Sequence, residues 1–300
     1  CREFAKEWIN IQKDQFKRLG VLGDWENYYA TMSNDAEAQI ANEILRFLKN
    51  GGLYKGYKPV LWSVVESTAL ADAEVEYQDH VSNQIYVKFK IKNKFKEFDD
   101  LNVVIWTTTP WTIPCNRALA YNSNLEYGIY QDDEGEKIII AKDLLQHFKS
   151  VTKSNLKIID TFNGNEFNGL IATHPFFELG YQFDVPLLEA DFVTTDQGTG
   201  IVHVAPSHGP DDFSLGLKNG IKAENTIDDN GYYTNIIKYF EGNHIFKADK
   251  LIIEELKKFK KLVFTAEYKH SYPHSWRSKA PLVHRATLQW FISMDTNDLR

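Results

Sequence analysis

Cysteine is scarce in this 300-residue sequence, and long apolar runs are missing. The two cysteines, Cys1 and Cys115, show no spacing pattern, which argues against a disulfide framework and fits a reducing compartment. No apolar run approaches the length that spans a bilayer, and no basic segment followed by an apolar one marks a secretory signal. These absences predict a cytoplasmic protein. Because the first residue is not methionine, we also expect a piece of a longer chain.

Positively charged residues are outnumbered by negatively charged ones. Lys and Arg number 34 against 41 Asp and Glu, which gives a formal net charge of −7. Proteins that hold nucleic acid mainly through their overall field are usually basic, so charge gives no positive indication of such a partner, although a local patch could still bind one. The contents of 43% hydrophobic and 25% charged residues are those of an ordinary globular chain.

Short apolar or alternating runs dominate the middle of the sequence, and a few segments have helical periodicity. We predict strands at residues 84–91, 102–109, 137–141, 156–159 and 201–204, and helices at residues 1–19, 34–50 and 248–261. Many short strands with few helices predict an α+β fold whose main part is β-barrel-like, closed or nearly closed, with helical decoration.

The pattern of apolar and polar residues changes near residues 80 and 265. We therefore expect an inserted domain at residues 80–265, preceded by a flank at 1–79 and followed by a flank at 266–300.

Three adjacent threonines, Thr107, Thr108 and Thr109, follow an apolar run and are stopped by Pro110. One interpretation is local, because threonine favours strands and a Thr-Pro step ends one. The other is functional, because adjacent hydroxyls at a strand end can hold a water or an ester oxygen. No Gly-x-Ser-x-Gly setting is present, so a serine-type covalent mechanism is not favoured.

A second stretch, residues 198–213, contains polar side chains of several kinds. His203 alternates with two valines and is either a structural residue or part of a site. Asp211 or Asp212 could simply cap the next helix. His203, His208 and the two aspartates are also possible metal ligands, but Pro206 interrupts them and the spacing matches no zinc motif, so the metal interpretation is the weaker one.

The two stretches resemble signatures of the isoleucyl-tRNA synthetase editing domain. The run from Trp106 to Asn116 is similar to its threonine-rich signature, and residues 198–213 are similar to its second signature. Further blocks agree in order at residues 18–25, 68–77 and 272–282. Valyl and leucyl relatives usually read Thr-Thr-Arg-Pro-Glu-Thr in the first signature, so Thr109 and Trp111 favour the isoleucyl type.

The resemblance implies a role for each site residue. Asp212 would hold the α-ammonium of the aminoacyl group, His203 would form the size-limiting wall, and Trp106 would shape the same pocket. The terminal adenosine, the scissile ester and the attacking water would be surrounded by Thr107, Thr108, Thr109 and Asn116. Which hydroxyl orients the water is left open.

The implied activity is hydrolysis of mischarged valyl-tRNA(Ile) within an isoleucine–tRNA ligase, with valyl-adenylate as a second candidate substrate and isoleucine rejected by size. The expected partners are the acceptor end of tRNA(Ile), valine or valyl-adenylate and the rest of the synthetase chain. No membrane partner is expected, and the chain is expected to be a monomer. Two alternatives stay open: a non-catalytic β module that binds tRNA or packs within a larger enzyme, and an editing domain of a valyl- or leucyl-type synthetase.

No cofactor is expected for editing. Ser63 and Glu66 stand where many relatives carry the Cys-x-x-Cys of a zinc site, so no zinc is expected there. The sequence contains neither His-Ile-Gly-His nor Lys-Met-Ser-Lys-Ser, which bind ATP in class I synthetases. We therefore do not expect these residues to activate an amino acid, and ATP binding would need the missing core.

Overall fold

The computed structural model describes residues 1–296 and 299. The chain folds as two compact units, one made of residues 1–56 together with the segment from residue 289 onward, and one made of residues 57–288. Among the described helices, none combines the length and the apolar character needed to span a membrane.

The smaller unit contains two helices, α1 (Arg2–Arg18) and α2 (Asn34–Lys49). Both lie where the apolar periodicity predicts them. Ser33 begins α2, because its side chain accepts a hydrogen bond from the Ala36 N–H. The apolar side chains of α1, such as Phe4 and Trp8, stay exposed.

The remaining helices are α3 (Leu145–Thr152), α4 (Pro210–Lys218) and α5 (Ile245–Lys258). The strands are β1 (Leu53–Ser63), β2 (Thr68–Ala69), β3 (Val75–Ile91), β4 (Leu101–Thr107), β5 (Ala118–Tyr121), β6 (Glu126–Gln131), β7 (Lys137–Ala141), β8 (Lys157–Asn163), β9 (Ile171–Thr173), β10 (Asp184–Glu189), β11 (Val202–Val204), β12 (Leu262–Ser275) and β13 (Val283–Ile292).

Most strands belong to one mixed sheet in the order β11-β5-β10-β9-β3-β4-β7-β6-β8, with β12 paired to β3 beside this path. A small sheet has the order β13-β1-β2. The pairs β4–β7 and β5–β10 are parallel, and the others in the large sheet are antiparallel. The α+β prediction is confirmed. Within the described residues the two end strands do not pair with each other, so the large sheet is not a closed barrel.

The longest pair in the large sheet, β3 with β12, aligns Val87 with Leu262 at one end and Val75 with Ser275 at the other. The ladder therefore crosses residues 80 and 265 without interruption, and the compact unit of residues 57–288 is longer than the expected domain. That the functional domain begins at residue 80 and ends at residue 265 stays a prediction.

Strand β4 is buried on both faces. Val103 and Ile105 pack into the main core, whereas Val104 packs with Tyr86 and Phe148 in a second cluster. Because α3 covers this second face, β4 is a continuous apolar run rather than an alternating one. The threonines follow where this cover ends.

Candidate functional site

The threonine run makes a sharp turn out of β4. Thr107 is the last residue of the strand, and its Oγ1 accepts the Thr109 N–H at 3.1 Å. A 3₁₀ helix (Pro110–Cys115) follows, with proline at its first position, where a missing N–H removes no helical hydrogen bond. The Thr107 hydroxyl is thus partly occupied by local structure, as the local interpretation expected.

A hydrogen-bonded network joins this turn to the second signature. Thr112 Oγ1 donates to the Thr109 carbonyl at 2.8 Å and lies 2.8 Å from His203 Nε2. On the other side of the imidazole, Asn116 Nδ2 lies 3.3 Å from His203 Nδ1 and also donates to the Ala118 carbonyl at 2.8 Å. The network therefore runs from the threonine turn through His203 to Asn116.

The directions of these hydrogen bonds determine the tautomer of His203. The Asn116 Nδ2 group can only donate, so Nδ1 of the neutral ring accepts. The single ring proton is then on Nε2, which donates to Thr112 Oγ1. Asn116 Oδ1 is buried and has no hydrogen-bond partner within the described residues, so it is a free acceptor at the end of the network.

His203 reaches the first signature because β11 pairs antiparallel with β5. The register aligns His203 with Leu119, and the Arg117 N–H donates to the Val204 carbonyl at 2.9 Å. Asn116 directly precedes this pair, so residues far apart in sequence come within hydrogen-bonding distance.

His203 is buried, and burial lowers the pKa of its imidazole to about 3. The ring is therefore neutral at physiological pH. A group with this pKa is a poor general base, but a ring held from both nitrogens is a rigid wall. This geometry suits the size-limiting role better than a proton-transfer role.

Asp212 lies in the first turn of α4. Its Oδ2 accepts the Ala205 N–H at 2.8 Å, which connects the helix to the chain just beyond β11, two residues after His203. Burial raises the pKa of the Asp212 carboxyl to about 7. Gly209, rather than either aspartate, is the N-cap of α4, and Asp211 is exposed. The simple capping interpretation of Asp212 is therefore wrong.

Two glycines allow the second signature to pack closely against its neighbours. Gly198 has a φ of +83°, and a Cβ there would lie 3.3 Å from Cε3 of Trp106. Gly200 has a φ of +74°, and its Cβ would come within 2.4 Å of the Ala141 Cβ. A side chain at position 200 therefore has no room. Trp106 is held in place by its indole N–H, which donates to Gln84 Oε1 at 2.9 Å.

A cavity of about 450 Å³ borders the threonine run. Thr108, Thr109 and Trp111 line it together with Asp249 of α5 and Tyr272 of β12. His203 and Asp212 are not among its lining residues, and the cavity meets the network at Thr109, which belongs to both.

Two residues of this site were missed from the sequence. Thr112 makes the contact with His203, and its spacing of three from Thr109 would have been a usable signal for one turn of 3₁₀ helix. Asp249 Oδ1 accepts the Trp111 N–H at 3.1 Å, and burial raises the pKa of its carboxyl to about 6. On an amphipathic helix it looked like an ordinary polar-face residue, so the sequence carried no signal for it.

The candidate metal ligands do not come together. Within residues 1–296 and 299, no three His, Cys, Asp or Glu side chains form a group that could hold a metal ion. His270 and His274 pack with His80 and Tyr272 as an aromatic cluster. Glu66 accepts hydrogen bonds from Ser275 Oγ at 2.7 Å and the Ser278 N–H at 3.1 Å.

Comparisons with known proteins agree with this architecture. Residues 1–300 match the family model described as tRNA synthetases class I (I, L, M and V). An isoleucine–tRNA ligase of Pelagibacter ubique is 61% identical over 307 residues, which cover 100% of this chain and 34% of that protein. One of Francisella tularensis subsp. holarctica is 48% identical over 310 residues, which cover 100% of this chain and 33% of that protein. The chain thus spans about a third of the length of these relatives.

A solved structure has a similar fold. The crystal structure named GlLeuRS-CP1, from a leucyl-tRNA synthetase, matches with a TM-score of 0.50 and 15% identity, covering 61% of this chain and 98% of that chain. At this identity the match supports the fold and nothing finer.

Proposed function

The chain belongs to the class I tRNA synthetases, the family of the isoleucyl, leucyl, methionyl and valyl enzymes, and we propose that it carries the editing site of an isoleucyl enzyme. This site hydrolyses valyl-tRNA(Ile), with valyl-adenylate as a second substrate, and rejects isoleucine by size. The observation that carries the proposal is the network from the threonine turn through neutral His203 to Asn116.

The need for such a site follows from a magnitude. One methylene contributes roughly 1–3 kcal/mol of discrimination in an apolar pocket, a limit for which the isoleucyl enzyme's choice between isoleucine and valine is itself the standard example. A second site can use size in the opposite sense, because it admits valine and excludes the larger isoleucine. A rigid wall is required, and His203 supplies it.

Hydrolysis of an aminoacyl ester needs positioning more than a strong base, because the ester is already activated. In the proposed arrangement Asp212 pairs with the α-ammonium, and this charge pair fixes the aminoacyl group. The threonine hydroxyls donate to and accept from the water and the ribose hydroxyl, and Asn116 Oδ1 adds an acceptor at the buried end of the same network. The cavity beside Thr108 and Thr109 accommodates the terminal adenosine.

The expected partners are the acceptor end of tRNA(Ile) and the rest of the synthetase chain. No metal or other cofactor takes part in this scheme. The expectation that no zinc is bound rests on Ser63 and Glu66. The Ser63 hydroxyl is not a thiolate ligand, and neither is the Glu66 carboxylate, which already accepts a hydrogen bond from Ser275.

The test is a deacylation assay of this chain on valyl-tRNA(Ile) and isoleucyl-tRNA(Ile). We expect faster release of valine than of isoleucine. Binding of both tRNAs without any ester hydrolysis would instead favour a non-catalytic module, and equal hydrolysis of both would contradict the size-exclusion role.

Deacylation should also depend on the protonation of Asp212. With a pKa of about 7, the free carboxyl is protonated at acidic pH and cannot pair with an ammonium group. Because kcat/KM reports the free enzyme, we expect it to rise about 15-fold between pH 5.5 and 7 and to level off above about pH 8. The rate is measured after subtraction of the enzyme-free ester hydrolysis. A flat profile across this interval would contradict the ammonium role.

A further inference from the structure

A second cavity, of about 240 Å³, touches both signatures. Pro114 and Cys115 of the first signature line it together with the adjacent Arg117, and so do Pro206 and Ser207 of the second. None of the residues assigned to editing lines this cavity. It is therefore separate from the proposed hydrolytic site, although its walls continue directly into Asn116 and into the β11–α4 connection.

The cavity combines an apolar body with a cationic rim. Leu179, Phe183 and Ile236 contribute apolar surface, while Lys222 and Lys238 stand exposed at its edge. Within the part of the chain that the structure describes, neither lysine forms an ion pair.

The other two charges at the rim are already engaged with each other. Arg117 pairs with Glu224 at 2.9 Å and stacks over the Phe183 ring at 5.0 Å. Two free cations thus remain beside a compact aromatic surface, which is an arrangement that suits an anionic group on a flat apolar ligand.

Tyr181 adds aromatic surface to the cavity wall. Its hydroxyl is buried and closed to solvent, so it offers no hydrogen bond to a ligand in the cavity.

We infer that this cavity binds a small planar aromatic monoanion. Its ring lies against Phe183 and Leu179, and its anionic group meets Lys222 and Lys238. A volume of about 240 Å³ suits a bicyclic aromatic acid better than a nucleotide, because it lies below the roughly 300–1,000 Å³ of sites for larger ligands.

A ligand held between the two signatures would alter their spacing. Arg117 and Pro206 are each three residues or fewer from Asn116 or His203 along the chain, so binding there should change the rate of deacylation. This effect rests on the proposed function, whereas the binding itself does not.

The experiment is isothermal titration calorimetry of this chain, without tRNA, using 2-naphthoate as the probe. Two matched compounds test the two contacts: 2-naphthamide lacks the negative charge, and decalin-2-carboxylate lacks the planar aromatic ring. We expect 2-naphthoate to bind more tightly than either compound. No measurable binding at millimolar concentration, or equal binding of all three compounds, would overturn the inference.

Variants assign the contacts. Lys222→Glu combined with Lys238→Glu should weaken the probe at least about tenfold, since exposed charges are reversed, and Lys218→Glu on α4 serves as the control with unchanged binding. AMP binding more tightly than the probe would overturn the ligand class. Deacylation measured with and without saturating probe reports the coupling separately, so a failure of editing does not hide a failure of binding.

Discussion

Asp212→Asn should lose deacylation of valyl-tRNA(Ile) by at least about 30-fold. Removing one member of a buried charge pair costs roughly 2–5 kcal/mol, which corresponds to about 30- to 5,000-fold. Asparagine keeps the shape of the side chain and can still accept the Ala205 N–H, which now lies 2.8 Å from Asp212 Oδ2. The loss therefore reports the missing charge rather than a displaced helix. The measurement is kcat/KM for release of valine.

Asp211→Asn is the matched control for this variant. Asp211 is exposed in the same first turn of α4, so its neutralisation should change the rate by no more than about threefold.

Thermal unfolding checks that the Asp212 variant folds. The folded pKa of about 7 lies above the usual value of 3.8, so ionisation of Asp212 reduces stability as pH rises through this interval. At pH 8 the asparagine variant should therefore melt no lower than the parent. A stable variant with full activity would remove Asp212 from the ammonium role.

His203→Ala should begin to hydrolyse correctly charged isoleucyl-tRNA(Ile). The imidazole is held from both nitrogens by Thr112 and Asn116, so it cannot move aside for a larger side chain. Removing it opens space for the additional methylene, and the ratio of valine to isoleucine release should fall by roughly 10- to 200-fold, the range that one methylene supplies. Deacylation of both charged tRNAs is measured side by side.

His174→Ala is the control for a cavity made nearby. His174 is also buried and lies 3.1 Å from the Ile113 carbonyl through Nε2, and burial lowers the pKa of its imidazole to about 3. It contacts the same 3₁₀ helix but has no part in the proposed wall. We expect this variant to lower stability and to leave the valine-to-isoleucine ratio unchanged. If both histidine variants change the valine-to-isoleucine ratio equally, the change is not specific to the loss of His203.

Much of the fold could be predicted because its patterns are local. Three local patterns correspond to elements of the structure. The alternation at residues 84–91 lies in β3, the apolar run before Thr107 is β4, and the periodicity of residues 248–261 overlaps α5. Barrel closure could not be predicted in this way. It depends on whether β11 and β8 meet, and pairing between strands this far apart is decided by the twist of the whole sheet.

For the candidate site, too, the sequence predicted some features and could not predict others. Sequence alone singled out the threonines, His203 and Asp212, whereas the close approach of Gly198 to Trp106 is visible only in the structure. A local pattern could not show that Asp212 bonds back to Ala205 rather than capping α4, because the direction of a side chain depends on its neighbours in space.

By itself, the sequence determined which chemical groups are present, the strands that contain Thr107 and His203, and the family to which the signatures belong. Only the tertiary structure decided the hydrogen bonding and the protonation of these groups. The pairing of β5 with β11 brings Asn116 and Thr112 onto the two nitrogens of His203, which places its single proton on Nε2. Burial then keeps that ring neutral and raises the pKa of Asp212 to about 7. Hydrogen-bond partners and desolvation come from residues distant in sequence, and no local pattern encodes them.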